Sequence, residues 1–275
     1  MSLKVWVNGA LVDEAEATVS VFDHGLTVGD GVFETLKTYG GKPFAVRRHL
    51  ERLASSAAGM GLTAPAPAVL RAALEEVAAA NGLVDDALRI TLTGGPGPLG
   101  SSRGDAGPTV VVAPGRLAPW PAATGVAVVP WPRNERGALA GLKTTSYGEN
   151  VVALAWAHER GAGEALFANL AGNLCEGTGT NVFLGIGGTL VTPPLSSGCL
   201  AGVTRALVLE LTEAVERDVP LDELGAATEA FLTSPTRAVH PIHAVDGRPL
   251  PDCPGPLTAA AANAFSALVA RDHDP

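Results

Sequence analysis

The stretch FDHGLTVGDGVFETLKTYGGKPFAVRRHLERL, residues 22–53, encodes a strand, a tight turn, a return strand and the beginning of a helix. Side chains alternate across a strand, so Phe33, Thr35 and Lys37 share one face of the first strand. A Gly-Gly pair after that strand predicts the turn of a β-hairpin. Leucines at helical spacing then predict a helix over 47–60, packed through one apolar stripe.

Strands and helices continue to mix along the rest of the chain without strict alternation. This order predicts an α/β or α+β fold with largely antiparallel or mixed sheets. The proline-rich segment PGRLAPWPAATG shows no apolar period and predicts a domain boundary. We therefore expect a smaller N-terminal α/β domain at 1–114, a linker at 115–124 and a larger C-terminal domain at 125–275. Further helices are expected at 66–81, 150–160, 203–215 and 257–270.

Composition excludes several classes of protein. Of the 275 residues, 47% are hydrophobic and 17% charged, which argues against a disordered chain. The net charge of −9 argues against nucleic-acid binding. Three widely spaced cysteines favour a reducing compartment over a disulfide framework or a zinc site, and we expect no metal. The uncharged segment 177–204 contains prolines and glycines, so we expect no membrane span and a cytoplasmic location.

Four isolated signals suggest chemistry, although each has an ordinary structural explanation. Lys143 is the only lysine beyond residue 42 and has small and hydroxyl neighbours, which suits a reactive amine, yet the pattern alone favours a solvated lysine. The helix expected from Val203 offers backbone amides to an anion. Arg52 could bind a phosphate. Glu176, beside glycines, could accept a hydrogen bond from a protonated ring nitrogen.

Five motifs taken together resemble the class IV, fold-type IV pyridoxal-phosphate enzymes. This family includes branched-chain aminotransferases, D-amino-acid aminotransferases and 4-amino-4-deoxychorismate lyases. The resemblance implies two α/β domains with pyridoxal 5'-phosphate in the cleft between them, the larger C-terminal domain binding the cofactor, and a homodimer that acts on a small anionic amino substrate. The motifs that carry it are residues 22–53, GLKTTSYGEN (141–150), NLCEGTGTNVFL (173–184), CLAGVTR (199–205) and EAFLTSPTRAVHPIHAVDG (229–247).

The resemblance also implies roles for individual residues. Lys143 matches the lysine that forms the Schiff base and then acts as the general base. Glu176 matches the carboxylate that holds the pyridinium nitrogen, and Tyr147 lies where some members place a tyrosine near the cofactor oxygen. The remaining implied contacts are to the cofactor phosphate and come from Arg52, Val203, Thr204, Ser234 and Thr236. Pro235 stands where the branched-chain enzymes carry a threonine.

Two departures bear on the choice within the family. Gly94 stands where D-amino-acid aminotransferases carry an arginine that binds the substrate carboxylate, and Thr35 stands where branched-chain enzymes have glycine. The sequence most resembles aminodeoxychorismate lyases, which release pyruvate and form 4-aminobenzoate for folate synthesis. The alternatives are an aminotransferase using branched-chain, D- or other amino acids, and a non-catalytic relative. For the substrate we expect Phe33 and Thr35 to line the pocket, and cations to bind its carboxylates. These cations are Lys37, Arg103 and Arg237.

Overall fold

A computed structural model describes residues 2–275. Within that range the chain forms fifteen strands and six α-helices. The helices are α1 (His24–Thr27), α2 (Val46–Gly59), α3 (Pro67–Ala80), α4 (Gly148–His158), α5 (Val203–Leu211) and α6 (Pro256–Arg271). The first six strands are β1 (Lys4–Val7), β2 (Ala10–Asp13), β3 (Gly31–Tyr39), β4 (Lys42–Pro43), β5 (Ala87–Thr93) and β6 (Thr109–Gly115). The other nine are β7 (Thr124–Val128), β8 (Glu164–Ala168), β9 (Leu174–Gly177), β10 (Asn181–Ile186), β11 (Thr189–Thr192), β12 (Val215–Glu216), β13 (Ala227–Ser234), β14 (Ala238–Val245) and β15 (Arg248–Pro249).

The chain divides into two compact units, and neither is a single continuous segment. The first comprises the described chain up to Ala118 together with Leu142–Tyr147 and Asp272–Pro275. The second comprises Pro119–Gly141 and Gly148–Arg271. The first crossing therefore falls within the linker expected at 115–124. The segment that carries Lys143, which the sequence analysis places in the C-terminal domain, lies in the first unit.

The first unit is built on a six-stranded sheet with the order β2-β1-β6-β5-β3-β4. Its pairings are antiparallel, and β3 aligns Phe33 with Thr91 and Thr35 with Arg89 of β5. Helices α2 and α3 pack on one face through a buried aliphatic core. Alternation turns Val32 and Leu36 toward that core, and so turns Phe33 and Thr35 to the opposite face.

The second unit is built on a nine-stranded mixed sheet. Its main order is β12-β11-β10-β13-β14-β7-β8-β9, and β15 pairs with β14. Helix α4 packs against β7 and β8, whereas α5 and α6 pack against β13 and each other. One aliphatic cluster includes Val126, Leu166 and Leu232, and a second includes Ala153 and Phe167.

The expected mixture of helices and strands is confirmed, with one clear difference in length. Helix α5 ends at Leu211, short of the expected 215, and Val215 and Glu216 form β12. These two residues pair in parallel with Val191 and Thr192 of β11, so sheet pairing replaces the last helical turn. No helix in residues 2–275 is long and apolar enough to cross a membrane.

Candidate functional site

Lys143 is fixed to β3 by its own backbone. The Phe33 amide donates to the Lys143 carbonyl oxygen at 3.0 Å, and the Thr145 amide donates to the Gly31 carbonyl at 2.8 Å. The Lys143 amide donates to the Ser56 hydroxyl on α2 at 3.1 Å. The residues around Lys143 thus extend the edge of a sheet that the sequence alone does not connect to it. This pairing explains why the segment belongs to the first unit.

The Lys143 amine lies among aromatic rings. Its Nζ is 4.2 Å from the centroid of Phe33 and 5.9 Å from that of Tyr147. The two rings meet edge to face, with centroids 5.2 Å apart. Aromatic faces attract a cation but accept no proton, so this surrounding suits an amine that must give up and regain a proton. The structure therefore brings together three of the expected site residues.

The same sheet face carries the other expected residues of β3. Thr35 is half-buried beside Phe33, opposite Arg89 of β5. Lys37 lies farther along the strand, and its Nζ is 4.7 Å from the centroid of the Tyr39 ring. At about 3.3 Å per residue, Lys37 is some 13 Å along the strand from Phe33. Its Cα position is thus well removed from the ring that carries the Lys143 amine.

Arg52 lies on the opposite face of the sheet, in a buried ionic cluster. Its Nε and Nη2 each donate to the carboxylate of Glu34 at 2.7 Å. His49, one helical turn earlier, lies with Nδ1 2.7 Å from the same carboxylate. Glu34 is completely buried, and the guanidinium is 12% exposed. The structure therefore holds Arg52 in a bidentate geometry that fixes its orientation.

Burial and charge act in opposite directions on this cluster. Burial alone would raise the pKa of Glu34, but the charge and hydrogen bonds of Arg52, aided by His49, lower that pKa to about 2. Burial lowers the pKa of His49, and the cations Arg52 and Lys143 lower it further against the opposing effect of Glu34. Near neutral pH the ring is uncharged and donates its Nδ1 proton to an ionised carboxylate.

Arg103 does not offer a carboxylate-binding face, contrary to the sequence-based expectation. Two of its nitrogens donate to Asp30 at 2.7 and 2.6 Å, and it also donates to the carbonyls of Gly61 and Met60. Hydrogen bonds from Arg103 lower the pKa of Asp30, opposing its burial. Arg103 thus ties the long β5–β6 loop to the end of α2, because four of its five N–H donors are already in use.

In the second unit, Glu176 of β9 is held by a backbone amide and an arginine. The Leu200 amide donates to its Oε2 at 2.9 Å, and Arg133 Nε lies 3.6 Å from its Oε1. The Arg133 guanidinium also stacks on Phe167, with Cζ 4.1 Å from the ring centroid. A cation and an N–H donor both favour the ionised carboxylate, which can then accept a hydrogen bond from a protonated ring nitrogen.

Helix α5 begins close to the same loop. Gly202 is its N-cap and supplies no side-chain cap, which leaves the first amides, including those of Val203 and Thr204, without intrahelical acceptors. A Cβ at Gly202 would collide with the side-chain oxygen of Asn181, so only glycine fits there. Asn181 itself donates to the Leu200 carbonyl at 2.9 Å. This helix start can therefore bind an anion such as phosphate.

The turn between β13 and β14 brings two expected hydroxyl groups together. Ser234 and Thr236 lie with their side-chain oxygens 3.5 Å apart, and the Arg237 amide donates to the Ser234 hydroxyl at 3.2 Å. Ser234 is buried and Thr236 half-buried. Because α5 packs against β13, the helix start and this turn belong to one compact region of the second unit.

Arg237 is a structural residue in this fold, which differs from the expected carboxylate contact. Its Nη2 is 3.5 Å from Glu164, and its guanidinium stacks 3.9 Å from the centroid of Trp120. It also contacts His240 Nδ1 at 3.2 Å, and both Arg237 and Glu164 are more than nine-tenths buried. Burial lowers the pKa of Arg237, which Glu164 partly opposes. Its cation is thus already neutralised.

The donor set fits pyridoxal 5'-phosphate. An amine beside aromatic rings can attach the aldehyde carbon, and an ionised carboxylate suits the protonated pyridine nitrogen. Amides at a helix start, with two hydroxyls nearby in the same unit, suit a phosphate dianion. Residues 2–275 contain no cluster of three or more metal-ligand side chains.

Sequence reasoning missed four residues that the structure places beside the expected ones. These are Glu34, His49, Arg89 and Arg133. Glu34 could have been found, because it alternates with Val32 and Leu36 and therefore faces the core. The other three are recognisable only from strand register or tertiary contact.

Comparison with known proteins agrees with this donor set. The profile of the family described as amino-transferase class IV matches residues 31–245. A putative branched-chain-amino-acid aminotransferase of Methanocaldococcus jannaschii is 33% identical, covering 90% of this chain and 89% of its own. A D-alanine aminotransferase of Bacillus licheniformis is also 33% identical, covering 93% of each chain.

A solved structure carries the comparison to the cofactor. A branched-chain amino acid aminotransferase from the organism abbreviated T.th., complexed with N-(5'-phosphopyridoxyl)-L-glutamate, superposes with a TM-score of 0.90 at 27% identity. The match covers 98% of this chain and 94% of that one. The chain therefore belongs to the class IV aminotransferase family of fold-type IV enzymes, which use pyridoxal 5'-phosphate.

Proposed function

We propose that the protein is an aminotransferase that moves an amino group from an amino acid to a 2-keto acid. The observation that carries this proposal is the Lys143 amine, pinned to β3 and 4.2 Å from the Phe33 ring centroid. The named relatives, which are branched-chain and D-alanine aminotransferases, support transfer over elimination. When bound, the cofactor supplies a ring that accepts the electron pair left on the amine-bearing carbon.

In this proposal Lys143 both attaches the cofactor and moves the proton. Once the substrate amine has displaced it, Nζ removes the proton from the amine-bearing carbon and returns a proton to the cofactor side. Arg52 and the helix start at Val203 and Thr204 bind phosphate, with hydroxyls from Ser234 and Thr236. In addition, Glu176 holds the pyridine nitrogen and Tyr147 orients the ring oxygen. Phe33 and Thr35 line the substrate side.

The lyase reaction favoured by the sequence analysis depends on the same residues. None of the relatives described above is named a lyase, so we place aminodeoxychorismate lyase and its folate role second. The two activities differ in one requirement. Transfer consumes a keto-acid acceptor, whereas elimination turns over without one.

The test uses purified protein loaded with pyridoxal 5'-phosphate. One arm supplies D- and L-amino acids with pyruvate or 2-oxoglutarate and measures the new amino acid. The other arm supplies 4-amino-4-deoxychorismate without a keto acid and measures 4-aminobenzoate and pyruvate. Transfer in the first arm is the expected result. Repeated turnover in the second arm, with none in the first, would overturn the proposal in favour of the lyase.

We also propose a homodimer, because apolar side chains are exposed in one segment of the first unit. Val21, Phe22 and Leu26 are 68%, 54% and 69% exposed. A second copy of the chain would bury such a patch, which single domains rarely leave open. Sedimentation should show a dimer, and Phe22→Glu should weaken it. A monomeric wild-type protein at micromolar concentration would contradict the proposal.

A further inference from the structure

Arg89 is the one charged residue of β5, and its position differs from that of a simple surface arginine. Strand register places it directly opposite Thr35 of β3. Its guanidinium carbon lies 3.7 Å from the centroid of the Phe33 ring, the same ring that has the Lys143 amine at 4.2 Å. Arg89 therefore occupies the sheet face of the reactive lysine, on the side away from α2.

Across residues 2–275, no carboxylate forms an ion pair with Arg89. One hydrogen bond is present, from Nε to the Thr91 hydroxyl at 3.4 Å. Although the side chain is exposed as a whole, partial burial of the guanidinium lowers the pKa of Arg89, with Tyr147 acting in the opposite direction. An arginine that loses hydration without gaining a counter-ion is held ready for an anion.

The other candidate cations are excluded by their own partners or position. Arg103 is committed to Asp30, and Arg237 to Glu164. Lys37 stacks on Tyr39, four residues along β3 from Phe33. Gly94 supplies no side chain at the end of β5. Arg89 is thus the cation of this face best placed for a carboxylate close to Lys143.

We propose that Arg89 binds the α-carboxylate of the amino-acid substrate and so determines that the enzyme accepts amino acids. This inference rests on the proposed function, because Lys143 acts on the amine-bearing carbon. That carbon is bonded directly to the carboxylate, so the two groups that recognise them must lie close together. Arg89 and Lys143 meet this requirement, since both lie against the Phe33 ring. Guanidinium binds a carboxylate through two parallel hydrogen bonds, which also fixes its orientation.

The test compares Arg89→Met with wild type, both loaded with cofactor. The non-reactive carboxylate 4-methylvalerate is titrated while the visible absorbance of the bound cofactor is followed. In parallel, KM is measured for amino acids and for 1-phenylethylamine, an amine without a carboxylate. Arg89→Lys keeps the charge but loses the two-pronged geometry. Arg160→Met is the matched control, because Arg160 is also exposed and stacks 3.6 Å from an aromatic centroid, that of Trp156.

The expected result is a roughly 10- to 100-fold weaker affinity of Arg89→Met for 4-methylvalerate and for amino acids, as for loss of a charged hydrogen-bond pair. Arg89→Lys should fall between the two proteins. The kinetics with 1-phenylethylamine, the cofactor spectrum and the Arg160→Met variant should match wild type. Equal affinities for 4-methylvalerate in wild type and Arg89→Met would overturn the inference.

The two proposals fail in different ways. If wild type transfers no amino group but binds 4-methylvalerate through Arg89, the proposed function fails and the carboxylate site stands. If wild type transfers amino groups and Arg89→Met does so with unchanged KM, the carboxylate site fails and the proposed function stands. A variant that loses cofactor absorbance altogether would assign Arg89 to cofactor binding and also overturn the inference.

Discussion

Two arginines in this protein stack on aromatic rings, and they differ in what else they touch. Arg89 lies on Phe33 with no carboxylate partner in the described chain, whereas Arg237 lies on Trp120 and is paired with Glu164. Partial burial lowers the pKa of both guanidinium groups. The counter-ion therefore separates an arginine that can bind a substrate from one that stabilises the fold. Stacking alone does not distinguish them.

The largest expected effect tests whether the face beneath Arg89 is the reacting one. Lys143→Ala removes the amine that lies on Phe33, and turnover should fall by at least roughly 10⁴-fold, since it loses both covalent attachment and the general base. Steady-state rates and the visible spectrum of added cofactor measure this. Thermal unfolding should remain near that of wild type. Turnover within tenfold of wild type would contradict the role given to Lys143.

Removing the counter-ion of Arg237 makes it resemble Arg89 and tests the second half of the comparison. Glu164→Gln leaves a buried cation unneutralised, so the free energy of unfolding should drop by about 3–5 kcal/mol. Urea denaturation measures the loss. The double variant Glu164→Gln/Arg237→Met should recover part of it, because no charge is then left buried. A change below about 1 kcal/mol in Glu164→Gln would mean that the pair contributes little.

The reverse change gives Arg89 a counter-ion and should resemble loss of the arginine. Thr91 already accepts a hydrogen bond from Arg89 Nε at 3.4 Å, and Thr91→Glu places a carboxylate at that side chain. We expect KM for amino acids to rise roughly 10-fold or more, because substrate must compete with the new carboxylate. Thr91→Gln is the control of similar size. If both variants raise KM equally, steric change rather than charge is responsible.

The smallest expected effect concerns the buried cluster behind the same sheet. Because the pKa of His49 is lowered in the fold, the unfolded chain binds this proton first, and stability falls as the pH drops below about 6.5. The slope contributed is at most about 1.4 kcal/mol per pH unit. His49→Asn should flatten the curve between pH 6.5 and 5. Glu34 adds a further loss below its ordinary range near pH 4.5, with its folded pKa at about 2. An unchanged slope in His49→Asn would contradict the assigned protonation state.

The sequence motifs predicted the fold class and named Lys143, but they could not show what surrounds it. Alternation in β3 was sufficient to place Phe33 and Thr35 on one face. The role of Arg89 depends on the register between β3 and β5, which local patterns do not encode. Arg103 and Arg237 were misjudged for the same reason. Their partners, Asp30 and Glu164, lie 73 residues away in each case, and no short-range pattern links them.

The discontinuity of the first unit has a practical consequence for dissecting the gene. A fragment ending at Ala118 would contain Phe33 and Arg89 but not the six-residue segment Leu142–Tyr147 with the reactive lysine. The remaining fragment would encode that lysine without the strand that holds it. Neither half can be assayed as an independent module, and activity should return only when both are supplied together. A circular permutant opened in an exposed turn outside that segment is the more informative way to rearrange this chain.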